Sequence, residues 1–246
     1  MTFAALAPLR DYSCMHVVLQ QEVFYDRLNV LGEYRWDADT LAGTVTFTSK
    51  ADPSHRIVVD AELIASIAPG PRSLLWGWST PQGRVDGCGA QLRMYGERYG
   101  IRELSESEVP FPEGLTGDLG DAVGAIAHQV GAVIATVTGF SLIATYLDGG
   151  SQAVFVLTLD PPLPPLSNAW ALPALPRLLA GLAIGDQRAA IVGLAQMSGW
   201  TLTWADEQYV EASLADGAST AVVSFDQFGR FERLSAQLGG TQPESG

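Results

Sequence analysis

The segment Ala122–Leu147 constrains the fold most, because it contains no Asp, Glu, Lys or Arg. About 20 apolar residues are enough to span a bilayer, so a membrane helix has to be considered. Polar residues interrupt the segment, however, and no positive charge flanks either end. Gly139 also separates a helix-like first part from a strand-like second part. The pattern therefore predicts a buried helix followed by a buried strand in a soluble protein.

The composition indicates a globular protein with an acidic surface. The chain has 246 residues, of which 47% are hydrophobic and 17% charged, enough for one large domain or two moderate ones. Its net charge of −13 argues against a nucleic-acid partner and against docking on anionic membranes. The N-terminus has neither the cationic region nor the apolar run of a signal peptide, which predicts a cytoplasmic location.

Hydrophobic periodicity predicts a helix followed by an antiparallel meander in the first part of the chain. Apolar residues at helical spacing indicate a helix near Asp11–Leu31, with Gly32 able to end it. Thr44–Thr48 alternates polar and apolar residues, as a half-exposed antiparallel strand does. The predicted strands are Glu33–Asp37, Gly43–Thr48, Arg56–Ile67 and Ser73–Ser79.

Further helices and strands follow, and the last third of the chain repeats the order of the first part. Helices are predicted at Gln91–Gly100, Asp121–Val137 and Asp186–Met197, and strands at Ser141–Leu147, Gln152–Leu159, Trp200–Trp204, Glu207–Leu214, Thr220–Phe225 and Phe231–Leu238. The expected fold is α+β, with helices packed on antiparallel sheet in two similarly ordered halves of one compact body. These halves are residues 1–110 and 111–238, followed by a flexible tail, 239–246.

Trp76 and Trp78 form a W-x-W pattern within the predicted strand Ser73–Ser79. Residues i and i+2 of a strand project from the same face, so both indoles should lie together. Such a face either anchors a core or lines a groove for a ligand. Since Leu74 and Leu75 make the strand apolar on both faces, we expect Trp76 in the core. Trp78 lies nearer the strand end and is the better candidate for a ligand contact.

Three segments carry a family resemblance. They are Tyr34-Arg35-Trp36-Asp37 leading to Thr44-Val45-Thr46-Phe47, then Leu74-Leu75-Trp76-Gly77-Trp78, and Phe225-Asp226-Gln227-Phe228-Gly229-Arg230-Phe231. Together they resemble an uncharacterised, mostly actinobacterial family of unknown function with a W-x-W strand and a C-terminal Phe-Asp-x-x-Gly-Arg turn. The resemblance spans about residues 10–238 and implies no activity, cofactor or catalytic residue. Such proteins often carry alanine in place of Gly77, a change expected to leave the indole face intact.

Metal and cofactor chemistry have little support in the sequence. His16, His55 and His128 are far apart, and Cys14 and Cys88 lack metal-ligand spacing, so neither a metal nor a cofactor is expected. The glycine-rich segment Gly114–Asp121 precedes a helix, as phosphate-binding loops do. It lacks the P-loop lysine, and Asp118 or Asp121 is better explained as a helix N-cap.

Asp37 and Asp39 are the best candidates for acid–base chemistry, because alternate residues of a strand share one face. A solvated strand end is the favoured explanation for them, because other oxygen ligands are not apparent nearby. Arg35 and His55 are weak candidates to join them.

Two classes of function remain open. The first is a non-catalytic binding protein with an aromatic groove near Trp76 and Trp78. Its partner would be a small apolar ligand, a peptide or a second copy of the chain. The second is a hydrolase-like enzyme whose acid–base residues meet only in three dimensions, with Arg35, Asp37, Asp39 and His55 as candidates. A pocket that brings carboxylates and a histidine together would favour catalysis.

Overall fold

The computed structural model describes residues 2–115 and 119–237, which fall into two compact units. Residues 2–10 and 20–163 form the first unit, and residues 11–19 and 164–237 form the second. The division at 110/111 that we expected from the sequence falls inside the first unit. The expected tail, 239–246, and Asp118 as a helix N-cap lie outside the described residues.

Helix α1 spans Ala7–Leu28 and continues as a 3₁₀ turn, Asn29–Leu31. Gly32 follows with a φ of +64°, a conformation that favours glycine, so the predicted helix and its end are confirmed. The helix begins earlier than predicted because Pro8 lies in its first turn, where its missing N–H costs nothing.

Seven strands of the described residues form one antiparallel sheet in the first unit. They are β1 (Tyr34–Asp39), β2 (Thr44–Ser49), β3 (Arg56–Ala68), β4 (Ser73–Trp76), β5 (Glu108–Pro110), β6 (Ile143–Asp148) and β7 (Ser151–Thr158). The order is β1-β2-β3-β4-β5, and β7 pairs with both β3 and β6. Strand β3 is central: β2 pairs with its first residues, β4 with its last, and β7 with the middle and end.

A β-bulge interrupts β3. Leu63 pairs with Phe155, whereas Ala65 pairs with Val154, so Ile64 is the extra residue. Residues paired across an antiparallel ladder share a face, and Ser66 pairs with Ala153. The bulge therefore places Leu63 and Ser66 on the same face although they are three residues apart.

Helices α2 (Cys88–Tyr99), α3 (Arg102–Ser105) and α4 (Leu119–Thr138) complete the first unit. Ile126, Val130 and Val133 of α4 are fully buried in the same cluster as Leu74 and Trp76 of β4. Helix α4 is long and apolar enough to cross a membrane, but 61% of its most apolar window is buried inside the protein. That burial is what the core helix of a soluble protein shows. The buried helix and the strand that follows it were both predicted.

The second unit contains α5 (Asn168–Ala171), α6 (Leu175–Gly181) and α7 (Gln187–Met197). The sheet contains β8 (Thr201–Trp204), β9 (Glu211–Ala215), β10 (Thr220–Phe225) and β11 (Phe231–Gln237), in the order β11-β10-β9-β8. Helix α7 and the meander were predicted, with Asp186 now placed as the N-cap of α7. Helices and antiparallel sheets together confirm the α+β class.

Candidate functional site

A cavity of about 460 Å³ opens on the surface of the first unit. We call it the N-terminal pocket. Its walls are the 3₁₀ turn Ala4–Leu6, the segment 100–106 that contains α3, and the segment 109–113 that begins in β5. Its volume lies within the roughly 300–1,000 Å³ that is usual for small-molecule sites.

The floor of the N-terminal pocket is apolar. Phe3, Val109 and Phe111 are buried members of the main core cluster, and Ile101 packs against that cluster. An incoming apolar group would therefore rest on side chains that the rest of the core already supports.

Gln129 of α4 holds one wall of the pocket. Its side chain is 1% exposed, and its Oε1 accepts a hydrogen bond from Phe3 N while its Nε2 donates one to Phe3 O, each at 2.8 Å. One amide thus satisfies both backbone groups of Phe3, much as a neighbouring strand would. The pair fixes the N-terminal segment against the core.

Trp76 holds a second wall of the pocket, the one that contains α3. Its Nε1 donates a hydrogen bond of 2.8 Å to the carbonyl oxygen of Glu103, and its backbone N donates one of 3.0 Å to Ser107 O. The side chain is fully buried, so Trp76 is a core residue and presents no surface to a ligand. It contributes to the pocket by positioning α3.

Glutamates dominate the rim of the N-terminal pocket. Glu103 and Glu106 are half-buried and Glu113 is exposed. Arg102 bonds to Glu106 through Nε at 2.8 Å and Nη2 at 2.6 Å, and this bond raises the pKa of Arg102. The guanidinium is thus already paired with a carboxylate.

A second cavity of about 300 Å³ lies at the β-bulge. We call it the bulge pocket. Its lining residues come from β1 and the turn after it, from β3 and from β7: Asp37, Ala38, Thr40, Leu63, Ser66, Ala153 and Phe155. Asp37 is the one predicted site residue in this lining.

The other polar candidates lie on the surface near β1. Arg35, Asp37 and Asp39 alternate with half-buried residues on one exposed face of β1, as predicted. Asp39 Oδ1 accepts hydrogen bonds from Leu41 N and Ala42 N, which identifies it as a turn residue. His55 is exposed in the turn before β3 and lines neither of the two pockets described here.

The prediction that the two tryptophans share one face of a strand is wrong. Strand β4 ends at Trp76, and Gly77–Ser79 forms a 3₁₀ turn. Gly77 packs so closely on β3 that a Cβ atom there would overlap the carbonyl oxygen of Leu63. The expectation that alanine here would leave the indole face intact is therefore wrong for this chain.

Trp78 packs on helix α2. A Cβ atom at Gly89 would lie 3.3 Å from the Cβ of Trp78. The guanidinium carbon of Arg93 lies 5.1 Å from the centroid of the Trp78 ring. The indole is half-buried, and among the described residues its buried Nε1 finds no hydrogen-bond partner.

The periodicity of the sequence gave no signal for Glu62, a buried carboxylate within β3. It accepts hydrogen bonds of 2.9 Å from Cys88 N and Gly89 N, the first N–H groups of α2. A carboxylate at this end of a helix satisfies otherwise unpaired donors and complements the helix dipole. A Cβ at Gly87 would overlap this carboxylate, so a larger residue there would have to displace the Glu62 side chain from the end of α2.

Cys88 should be a poor nucleophile. Burial, and then the charge of Glu62, raise the pKa of its thiol to about 11. At about pH 8 roughly one thiol in a thousand would be ionised. We expect iodoacetamide to leave Cys88 unmodified in the native protein and to modify it after unfolding, as read by peptide mass spectrometry. Rapid modification of native Cys88 would contradict the buried, protonated thiol.

Within residues 2–115 and 119–237, no three His, Cys, Asp or Glu side chains are grouped so that they could hold a metal ion. His16 is buried, with Nδ1 3.2 Å from Ser198 Oγ, and His128 is exposed on α4. Asp121 lies in the first turn of α4. These positions do not converge on either pocket.

Comparison with known proteins gives a family and no activity. The model of a family of unknown function, DUF6882, matches residues 7–161, which include the W-x-W segment but not Phe225–Phe231. No curated protein and no solved structure matches the chain. Since the match covers more than half of its length, the chain belongs to DUF6882, a family of unknown function.

Proposed function

We propose that this chain is a soluble, cytoplasmic, non-catalytic protein that binds a small, mainly apolar ligand in the N-terminal pocket. The observation that carries the proposal is the combination of an apolar floor with two walls held by buried hydrogen bonds. Gln129 fixes Phe3, and Trp76 fixes Glu103. A site built on such fixed walls loses little conformational entropy on binding.

The hydrolase-like alternative finds less support in the same region. The linings of the two pockets contain no histidine among the described residues, and Cys88 keeps its proton. Arg35 and Asp37 lie on β1 and His55 lies in the turn before β3, all outside the N-terminal pocket. The pocket thus offers carboxylates without the histidine whose convergence with them would favour catalysis.

A polarity-sensitive dye tests the proposal. We expect N-pentyl dansylamide, a neutral probe with an apolar tail, to bind one site with a blue-shifted emission. Ala5→Trp places an indole at the mouth of the N-terminal pocket and should weaken binding about tenfold or more, about 1.4 kcal/mol.

Ala153→Trp is the matched control, because it adds the same side chain to the bulge pocket. It should leave the affinity unchanged. Loss of binding in Ala153→Trp alone would move the site to the bulge pocket, and absence of binding to the parent protein would overturn the proposal. Binding that varied with protein concentration, together with dimers in sedimentation, would instead indicate a second copy of the chain as the partner.

A further inference from the structure

We infer that the ligand of the N-terminal pocket is a small amphiphilic cation, an alkyl- or arylammonium compound. This inference rests on the proposed function, and it adds the chemical class of the ligand. Its basis is the charge of the rim above an apolar floor.

The rim carries more negative than positive charge. Three carboxylates line the pocket, those of Glu103, Glu106 and Glu113, against the single guanidinium of Arg102. Arg102 forms two hydrogen bonds with Glu106, so these two charges largely cancel. Glu103 also attracts the Arg102 guanidinium, but three carboxylates against one guanidinium leave the rim with a net charge of about −2.

Glu103 is placed to contact a ligand that reaches the floor. Its backbone oxygen is held by Trp76 Nε1 at 2.8 Å, and its neighbour Ile101 is part of the apolar lining. The side chain is half-buried, so its charge is less screened by water than that of a fully exposed glutamate. An ammonium group at the rim and an apolar body on the floor would satisfy both parts of the pocket.

The charge of the whole chain acts in the same direction. At a net charge of −13, the protein attracts cations and repels anions before contact. A carboxylate or phosphate ligand would have to overcome both this field and the net negative charge of the rim. The apolar floor and the volume of about 460 Å³ favour a compact organic cation over a hydrated metal ion. A metal ion of this kind binds to oxygen ligands and gains nothing from contact with apolar side chains.

Three dansyl probes that differ only at the tail end test the inference. Dansylcadaverine ends in an ammonium group, N-pentyl dansylamide in a methyl group, and dansyl-6-aminohexanoate in a carboxylate. We expect the ammonium probe to bind about tenfold more tightly than the neutral one and the carboxylate probe to bind most weakly. Added salt of about 0.5 M should reduce the difference.

The double variant Glu103→Gln/Glu113→Gln should remove most of the preference for the ammonium probe and leave the affinity for the neutral probe unchanged. The control Glu207→Gln/Glu232→Gln removes the same charge from exposed residues of the second unit and should keep the preference.

The outcomes separate the two proposals. If the neutral and ammonium probes bind equally, or the carboxylate probe binds best, the cation inference fails and the pocket proposal stands. If the preference survives the double variant, the charge lies elsewhere and the inference is also wrong. If none of the three probes binds, both proposals fail.

Discussion

Replacing Trp76 with alanine should lower the free energy of unfolding by about 3–5 kcal/mol. The indole is the largest fully buried side chain of the protein among those described, and it packs in the main core cluster with Leu74 and Ile126. The substitution also leaves the carbonyl oxygen of Glu103 without its 2.8 Å partner. Urea unfolding of parent and variant, followed by circular dichroism, measures the loss.

Two other tryptophans serve as controls for the loss of an indole. Trp170 is 41% exposed in the second unit, so Trp170→Ala should cost well under half as much. Trp78 is half-buried and its Nε1 makes no hydrogen bond among the described residues, so Trp78→Ala should fall between the two. A Trp76→Ala protein as stable as Trp170→Ala would contradict the core position of Trp76.

The sequence predicted the elements whose signals are local. Helical spacing of apolar residues marked α1, α4 and α7, and alternation marked the strands of both meanders. Gly32 indicated the end of the first helix because glycine favours the positive φ that often ends a helix, and its φ is +64°. Helices α5 and α6 were not predicted. Pro176 lies in the first turn of α6, where proline is tolerated, and Pro173 lies in the 3₁₀ turn Leu172–Ala174 between the two helices.

The end of β4 shows why local signals are limited. Trp76-Gly77-Trp78 alternates like a strand, and nothing in it indicates a stop. The stop follows from the close packing of Gly77 on the carbonyl oxygen of Leu63, a residue of another strand. Long-range contacts of this kind are invisible in a single sequence.

The candidate site could not be predicted from the sequence, because it also depends on long-range contacts. Its walls come from three separate segments, and Gln129 looked only like a polar interruption of an apolar helix. Glu62 was hidden within a strand, and its role depends on the first N–H groups of α2. The aromatic groove expected near the W-x-W segment stays a prediction, because Trp76 is fully buried and neither Trp76 nor Trp78 lines the N-terminal pocket.

His16 should make the stability of the protein depend on pH. It lies on α1 within the second unit, and burial lowers its pKa from 6.5 to about 4. Between these two values the unfolded chain binds a proton that the folded chain does not. The contribution of His16 to stability is therefore complete above about pH 6.5 and is lost as the pH falls toward 4, by about 3 kcal/mol in all.

Carboxylates also titrate at the acid end of this range, so the test compares variants. His16→Asn keeps a neutral polar group near Ser198 Oγ and cannot take up the proton, whereas His55→Asn removes an exposed histidine. Between about pH 7 and 5 the parent and His55→Asn should each lose about 2 kcal/mol more than His16→Asn, as measured by urea midpoints. Equal losses in all three proteins would mean that His16 takes up its proton as readily in the folded protein as in the unfolded chain, which would contradict the buried, neutral ring.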